Sequence, residues 1–143
     1  MTNRFEEARN RIKEFEGLLW GDYKENAVVF CRAYLEFHLG HFKEALQLVN
    51  SLLQDYKDVY YALDGRTLLL RCYFKLMDYD QLQTQGESFR QFLRRLGGKE
   101  ALSPSYLEAY SEFLKNISQL GKIMTGLPTK REEKMGRFVE RLK

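Results

Sequence analysis

Apolar residues recur along this chain at the three-and-four spacing that is typical of amphipathic helices. No segment keeps the strict apolar–polar alternation that would predict a β-strand. We therefore expect an all-α protein with about seven helices. The pattern places them near residues 5–19, 23–39, 41–56, 59–77, 78–96, 104–121 and 130–142.

Capping residues and glycines set the expected ends of several helices. Asn3 and Thr129 are each followed three residues later by glutamate, the pattern of an N-terminal capping box. Gly40 should end the second helix with a positive φ, which costs glycine little. Gly97-Gly98 is predicted to break the chain after the fifth helix.

One eleven-residue pattern occurs three times at a spacing of 37 residues. Each copy has an aromatic residue, a small or aliphatic residue three positions on, and a core position ten positions on. The copies are Phe5, Ala8 and Phe15, then Phe42, Ala45 and Leu52, then Tyr79, Leu82 and Phe89. Periods of roughly 20–50 residues indicate stacked helical units that bury their apolar faces against their neighbours.

The segments 39–46 and 76–82 resemble the turn between the paired helices of a tetratricopeptide repeat. That family has Leu-Gly, a short polar residue, an aromatic and then alanine three residues further on. In the second segment Met77 stands in place of the glycine and Leu82 in place of the alanine, so less close packing is expected there. The resemblance implies a right-handed α-α superhelix of stacked helical hairpins.

The resemblance covers residues 3–96, and residues 97–143 form a divergent C-terminal helix pair. We expect residues 1–143 to form one tetratricopeptide-like domain. Because the array opens on an orphan second helix, the chain is either cut from a longer repeat protein or begins with a capping helix.

In this family a concave groove is lined by one face of the first helix of each pair. Carried over by position, the resemblance implies a peptide-binding groove made by Phe30, Tyr34, Phe37, His38, Asp64, Thr67, Arg71, Phe74 and Lys75. The family's carboxylate clamp is not reproduced, because Phe30 and Tyr34 occupy its positions. The same register would put Arg32 and Glu36 in core positions, so the second helix is expected to be rotated or shifted relative to the family's pattern. Its residues Phe30, Tyr34 and Phe37 could then be core instead.

Composition favours a soluble, folded protein: 44% of the residues are hydrophobic and 30% are charged. The apolar runs are far shorter than the roughly 20 residues of a membrane span. Cys31 and Cys72 lie in apolar helical context and are expected to be buried and reduced. Reduced cysteines favour a cytoplasmic location.

Charge is distributed unevenly along the chain. Residues 1–64 carry 8 basic and 11 acidic groups, whereas residues 65–143 carry 15 and 9, giving net charges of −3 and +6. The candidate basic patch comprises Arg90, Arg94, Arg95, Lys130, Lys134, Arg137 and Arg141. Such a patch could bind nucleic acid, but base stacking also needs exposed aromatic side chains near the charges.

No catalytic or phosphate-binding motif occurs in the sequence. His38 and His41 could share a metal ion only with a third and usually a fourth ligand, and Glu44 is the only nearby carboxylate of suitable reach. We therefore predict a non-enzymatic scaffold that binds a protein or peptide and needs no cofactor. Two alternatives stay open: a nucleic-acid-binding helical repeat that uses the basic patch, and a helical regulatory domain of a larger enzyme.

Overall fold

The computed structural model describes residues 2–16, 22–52, 59–126 and 128–143. These residues form seven α-helices and no β-strand, as the apolar periodicity predicted. The helices are α1 (Thr2–Glu16), α2 (Asp22–His38), α3 (Phe42–Leu52), α4 (Val59–Lys75), α5 (Tyr79–Gly98), α6 (Pro104–Thr125) and α7 (Pro128–Leu142).

Several predicted helix ends were wrong. Asn3 and Thr129 lie inside α1 and α7 instead of preceding them. Helix α6 continues to Thr125, four residues beyond the predicted end at residue 121. The predicted ends of the first and third helices, at residues 19 and 56, lie outside the described residues.

Helix α5 runs through the Gly97-Gly98 pair, which was predicted to break the chain. The residue with a left-handed backbone conformation after the end of α5 is Glu100, with φ of 54°, and not one of the two glycines. The amides of Glu100 and Ala101 donate to the carbonyls of Gly97 and Leu96, which is the Schellman pattern. Each glycine inside a helix lowers helix stability by about 1 kcal/mol relative to alanine. Burial of the neighbouring Leu96 side chain in the same turn stabilises this end of α5 and offsets part of that loss.

The chain divides into two compact units, Met1–Leu76 and Met77–Lys143. The first unit contains α1 to α4 and the second contains α5 to α7. The boundary falls inside the segment 3–96 to which the repeat resemblance extends. The expectation of one domain over residues 1–143 stays a prediction.

In the first unit α3 packs against both α2 and α4, and α2 also contacts α4. The buried cluster at their junction consists of Ala33, Ala45, Val49, Leu68, Leu69 and Cys72. Ala33 and Ala45 are fully buried, so small side chains stand where the helices meet. Helix α1 packs against α2, and the surface between these two helices forms the candidate site described below.

In the second unit α6 packs against both α5 and α7. The two helices α5 and α6 contact each other tightly at Gly121, where an added Cβ would lie 2.7 Å from Cδ2 of Leu82. Leu82 stands where the repeat resemblance places alanine, and its side chain is 1% exposed. Opposite Leu82 the small residue is therefore on α6, and one turn later a second small residue, Gly86 of α5, faces Leu114 and Ser118 of α6.

Two turns 37 residues apart share several features of their backbone. Gly40 precedes α3 and Met77 precedes α5, and both have positive φ. The amides of Leu39 and Leu76 donate to carbonyls four residues earlier, and so do those of Ala45 and Leu82. The sequence repeat is thus matched by a repeat in local backbone conformation.

Candidate functional site: a groove between α1 and α2

An open apolar groove of about 340 Å³ lies between α1 and α2. This volume is at the lower end of the range that is typical of ligand clefts. We call it the α1/α2 groove. Its lining residues are Arg4, Phe5, Ala8, Ile12, Phe30, Cys31, Tyr34, Leu35 and His38. None of these lining residues is acidic.

Helical spacing explains why α2 contributes both to the core and to the groove. Phe30, Tyr34 and His38 are four residues apart and share one face of the helix. Their rings contact one another in sequence, with centroids 6.5 Å apart for Phe30 and Tyr34 and 4.4 Å apart for Tyr34 and His38. Tyr34 remains 46% exposed, so this aromatic row presents an accessible surface.

An ion pair joins α1 to the last turn of α2. Arg9 Nη2 donates to Glu36 Oε1 at 2.7 Å. The consecutive helices α1 and α2 pack on each other and are joined by five residues, a short connection that is typical of an antiparallel pair. In such a pair the residues before Arg9 lie beside the last turn of α2. Arg4 and His38 therefore lie at one end of the groove, and Ile12 and Phe30 lie toward the other end. The groove has a cationic, hydrogen-bonding end and an apolar end.

Glu36 accepts a second hydrogen bond from His41 Nδ1, at 2.6 Å from its Oε2 atom. Partial burial alone would raise the pKa of the Glu36 carboxyl group. The hydrogen bonds from His41 and Arg9, together with their charges, outweigh that effect, so the pKa of Glu36 lies below its ordinary value. The repeat resemblance would put Glu36 in a core position. Its carboxylate instead lies between Arg9 of α1 and His41 in the turn after α2.

The predicted groove residues of α2 separate into two groups. Phe30, Tyr34 and His38 line the α1/α2 groove. Phe37 instead packs against the buried cluster of the first unit, and its ring contacts Phe42 with centroids 5.2 Å apart. Phe37 therefore belongs to the core, as the alternative interpretation proposed, whereas the other three side chains reach the surface.

The predicted residues of α4 do not line the α1/α2 groove. Asp64, Arg71 and Lys75 are exposed, and Thr67 and Phe74 are partly buried. The Thr67 hydroxyl donates to the Leu63 carbonyl of its own helix at 2.9 Å. The ring contact between α2 and α4 is made by Phe30 and Tyr61, with centroids 5.8 Å apart.

Sequence reasoning missed six residues of the groove, one of which, Leu35, is buried at its floor. The apolar face of α1 could be read from the spacing of Phe5, Ala8 and Ile12. That face was expected to be buried in the core and was not considered as a binding surface. No motif or spacing in the sequence pointed to Arg4 as a binding residue. Cys31 was predicted to be buried and is exposed, because its position on α2 faces the groove and not α3. Cys72 is fully buried, as predicted, and burial raises its pKa to about 12.

All seven residues of the candidate basic patch are exposed and lie in the second unit. Arg90 pairs with Glu87 at 2.6 Å, and Arg137 pairs with Glu133. Arg141 donates to Gln119 Oε1 at 2.6 Å. Among the described residues, α5 and α7 make no direct contact and each packs on α6. The patch is thus divided between two helices, and carboxylates neutralise part of its charge.

A larger groove of about 930 Å³ lies between α6 and α7. Its walls mix both signs of charge: Lys122, Lys134, Arg137 and Arg141 alternate with Glu132, Glu133 and Glu140. Ile123 and Phe138 supply its apolar surface. This mixture gives the α6/α7 groove no single electrostatic preference, in contrast with the α1/α2 groove.

No group of three or more potential metal ligands is found in the part of the chain that the structure describes. No helix in that part combines the length and apolar character that a membrane span requires. What the α1/α2 groove can bind is therefore inferred from its own side chains. Comparison with protein-family models, with curated proteins and with solved structures found no match to this chain.

Proposed function

We propose that this chain is a non-enzymatic, tetratricopeptide-like scaffold that binds a segment of another protein in the α1/α2 groove. The repeated turn geometry at Gly40 and Met77 supports the repeat architecture. The packing of α3 between α2 and α4 supports stacked helical hairpins within the first unit. The proposed superhelix is right-handed and presents its helices as a rigid surface.

The observation that carries the proposed function is the accessible aromatic row of α2. Phe30, Tyr34 and His38 contact one another and face the apolar side of α1 across the groove. Aromatic side chains are frequent binding anchors because they bury a large area and have few rotatable bonds. Rigid helices hold these anchors in place, so little conformational entropy is lost on binding.

Nucleic-acid binding is the less favoured alternative. A polyanion would need a continuous basic surface, whereas the candidate patch is split between α5 and α7 and partly paired with Glu87 and Glu133. Two patch arginines, Arg95 and Arg141, lie over the rings of Phe92 and Phe138. Phe92 is partly buried and Phe138 is 4% exposed, so these rings offer little surface for base stacking.

The test is selection of a random peptide library against the immobilised full chain. Selected peptides should bind the original protein and lose affinity for the Tyr34→Ala variant. Tyr106→Ala is the matched control, because Tyr106 is also a tyrosine on a helix, is 51% exposed and lies outside the groove. Circular dichroism should show that both variants keep their helical content.

Equal weakening by Tyr34→Ala and Tyr106→Ala would contradict binding in the α1/α2 groove. A library that yields no binder at all would contradict the peptide-binding function itself. Binding of single-stranded RNA that is abolished by Arg94→Glu with Arg137→Glu, and that falls steeply with salt, would favour the nucleic-acid alternative.

A further inference from the structure

The distribution of charge in the α1/α2 groove restricts its occupant, if the proposed peptide-binding function holds. Among the nine lining residues the groups that carry or can carry positive charge are Arg4 and His38, and both lie at the same end. None of the lining residues that the structure describes is acidic. The remainder of the lining is apolar or aromatic, apart from the Tyr34 hydroxyl and the Cys31 thiol. A complementary occupant is apolar along most of its length and anionic at one end.

The length of the groove sets the size of that occupant. Arg4 and Ile12 mark its two ends on α1 and are eight residues apart, which corresponds to about 12 Å along a helix. Two turns of a helix span about 11 Å. Apolar side chains at positions i, i+4 and i+7 of such a helix would therefore fill the groove.

The scarcity of polar groups in the lining favours a helical occupant over an extended one. An extended segment leaves its backbone N–H and C=O groups to be satisfied by the receptor, and each unsatisfied buried group costs roughly 1–3 kcal/mol. The apolar lining of the α1/α2 groove supplies few partners for them. A helix satisfies these groups internally and presents only side chains to the groove.

We infer that the α1/α2 groove binds an amphipathic helix of a partner protein, with an apolar stripe against Phe5, Ile12 and Tyr34 and a glutamate or aspartate beside Arg4 and His38. The partner is recognised by the combination of the stripe and the acidic end. An apolar stripe alone would bind more weakly, and a basic end would be repelled by Arg4.

Designed model helices test this inference with defined probes. The first probe is a fluorescein-labelled alanine- and glutamine-based helix of about 16 residues, a length at which isolated helices begin to form. It carries leucines at i, i+4 and i+7 and two glutamates one turn beyond the last leucine. Three companion probes replace the glutamates by glutamine, replace them by lysine, or replace the leucines by alanine. Fluorescence anisotropy with the full chain measures each affinity.

We expect the glutamate helix to bind most tightly. Replacement of its glutamates by glutamine should weaken binding by about threefold, as exposed ion pairs do. The lysine helix should bind more weakly still, and the helix without leucines should not bind measurably. The Arg4→Glu variant should reverse the order of the glutamate and lysine helices. Arg4 is exposed, so this substitution should leave the fold intact, and circular dichroism checks that it does.

Equal affinity for the glutamate, glutamine and lysine helices would overturn the inference, and so would an order that Arg4→Glu leaves unchanged. The inference also fails if none of the leucine-bearing helices binds. If library-selected peptides then still bind in a Tyr34-dependent way, the inferred occupant is wrong and the proposed peptide-binding function stands. If neither kind of peptide binds, both are wrong.

Discussion

Gly40 and Met77, 37 residues apart, occupy the same left-handed backbone conformation, with φ of 85° and 59°. Each residue lies two positions before a helix, α3 in one case and α5 in the other. A left-handed conformation is easy for glycine and costs other L-residues about 1–2 kcal/mol. The chain thus keeps the turn of its repeat at the second position despite the loss of glycine.

Exchanging the residue types at these two turns should affect stability differently: one substitution should destabilise the protein and the other should not. Gly40→Met should destabilise the protein by about 1–2 kcal/mol, because a side chain is forced into the left-handed region. An added Cβ at Gly40 meets no atom within 4 Å, so the cost comes from the backbone. Met77→Gly should be neutral or stabilising by up to about 1 kcal/mol, since relief of strain is partly offset by the greater entropy of glycine in the unfolded chain.

Urea denaturation followed by circular dichroism measures both effects. Met77 is 71% exposed, so its replacement removes little buried apolar surface. A loss of stability in Met77→Gly as large as that in Gly40→Met would contradict the equivalence of the two turns.

The contact between Gly121 and Leu82 should behave as a coupled pair. Gly121→Ala should destabilise the protein despite the higher helix propensity of alanine, because the new Cβ would lie 2.7 Å from Leu82 Cδ2. Leu82→Ala alone should cost about 2–5 kcal/mol through the cavity that it leaves. In the double variant the added methyl group has room, so the combined cost should be less than the sum.

Gly86→Ala on α5 is the matched control for Gly121→Ala. Its Cβ would make ordinary contacts of 3.5 and 3.6 Å with Leu114 and Ser118. It should therefore be neutral or stabilising by up to about 1 kcal/mol. Strict additivity of Gly121→Ala and Leu82→Ala in chemical denaturation would show that the close contact is not present in solution.

Ala45→Leu should destabilise the first unit by about 1–3 kcal/mol through overpacking. Ala45 is fully buried in the cluster that joins α2, α3 and α4. Ala109→Leu on the exposed surface of α6 provides the control and should be nearly neutral. The thermal unfolding midpoint should fall only for the first variant. Unchanged midpoints for both variants would mean that α3 does not approach its neighbours closely at Ala45.

The helices could be predicted from sequence because their apolar spacing is local, and the turn at Gly40 because glycine favours its conformation. Contacts between distant residues were not predictable in the same way. Cys31 was misassigned because α2 is apolar on nearly all sides, so its pattern does not show which face meets α1. Two examples are the close contact between Leu82 and Gly121 and the ion pair between Arg9 and Glu36. Both depend on which helices become neighbours, and the local apolar spacing does not show this.

The Glu36 ion cluster should contribute to stability at neutral pH and lose that contribution in acid. Because the folded-state pKa of Glu36 is lowered, its stabilising effect is complete above the unfolded value of about 4.3. The effect is lost as pH falls through the lower folded-state pKa. Glu36→Gln should therefore cost about 1 kcal/mol or less at pH near 7, given that the Arg9 side chain is 41% exposed.

Denaturation of the original protein and of Glu36→Gln at several pH values tests this linkage. The difference in unfolding free energy should shrink toward zero as the pH falls below about 4. Gln47, which lies on α3 and lines the neighbouring groove around Arg9, offers a control position where Gln47→Ala should give a difference independent of pH. A Glu36→Gln difference that grows as the solution is acidified would contradict the lowered pKa.

Binding in the α1/α2 groove is tested most directly by alkylation of Cys31. Cys31 is exposed in the groove, and Cys72 is buried, so iodoacetamide should modify only Cys31 in the folded protein. Partial burial raises the pKa of Cys31, and the rate should therefore still be rising at pH values above the ordinary range of a free thiol. Mass spectrometry of peptide fragments gives the rate at each cysteine.

A saturating concentration of the glutamate-bearing model helix should slow alkylation of Cys31 severalfold, and the helix without leucines should leave the rate unchanged. Cys72 should stay unmodified in every case until the protein is unfolded. The account predicts protection of Cys31 that follows the affinity order of the helices. An unchanged alkylation rate at Cys31, measured while the glutamate helix is shown by anisotropy to be bound, would contradict it.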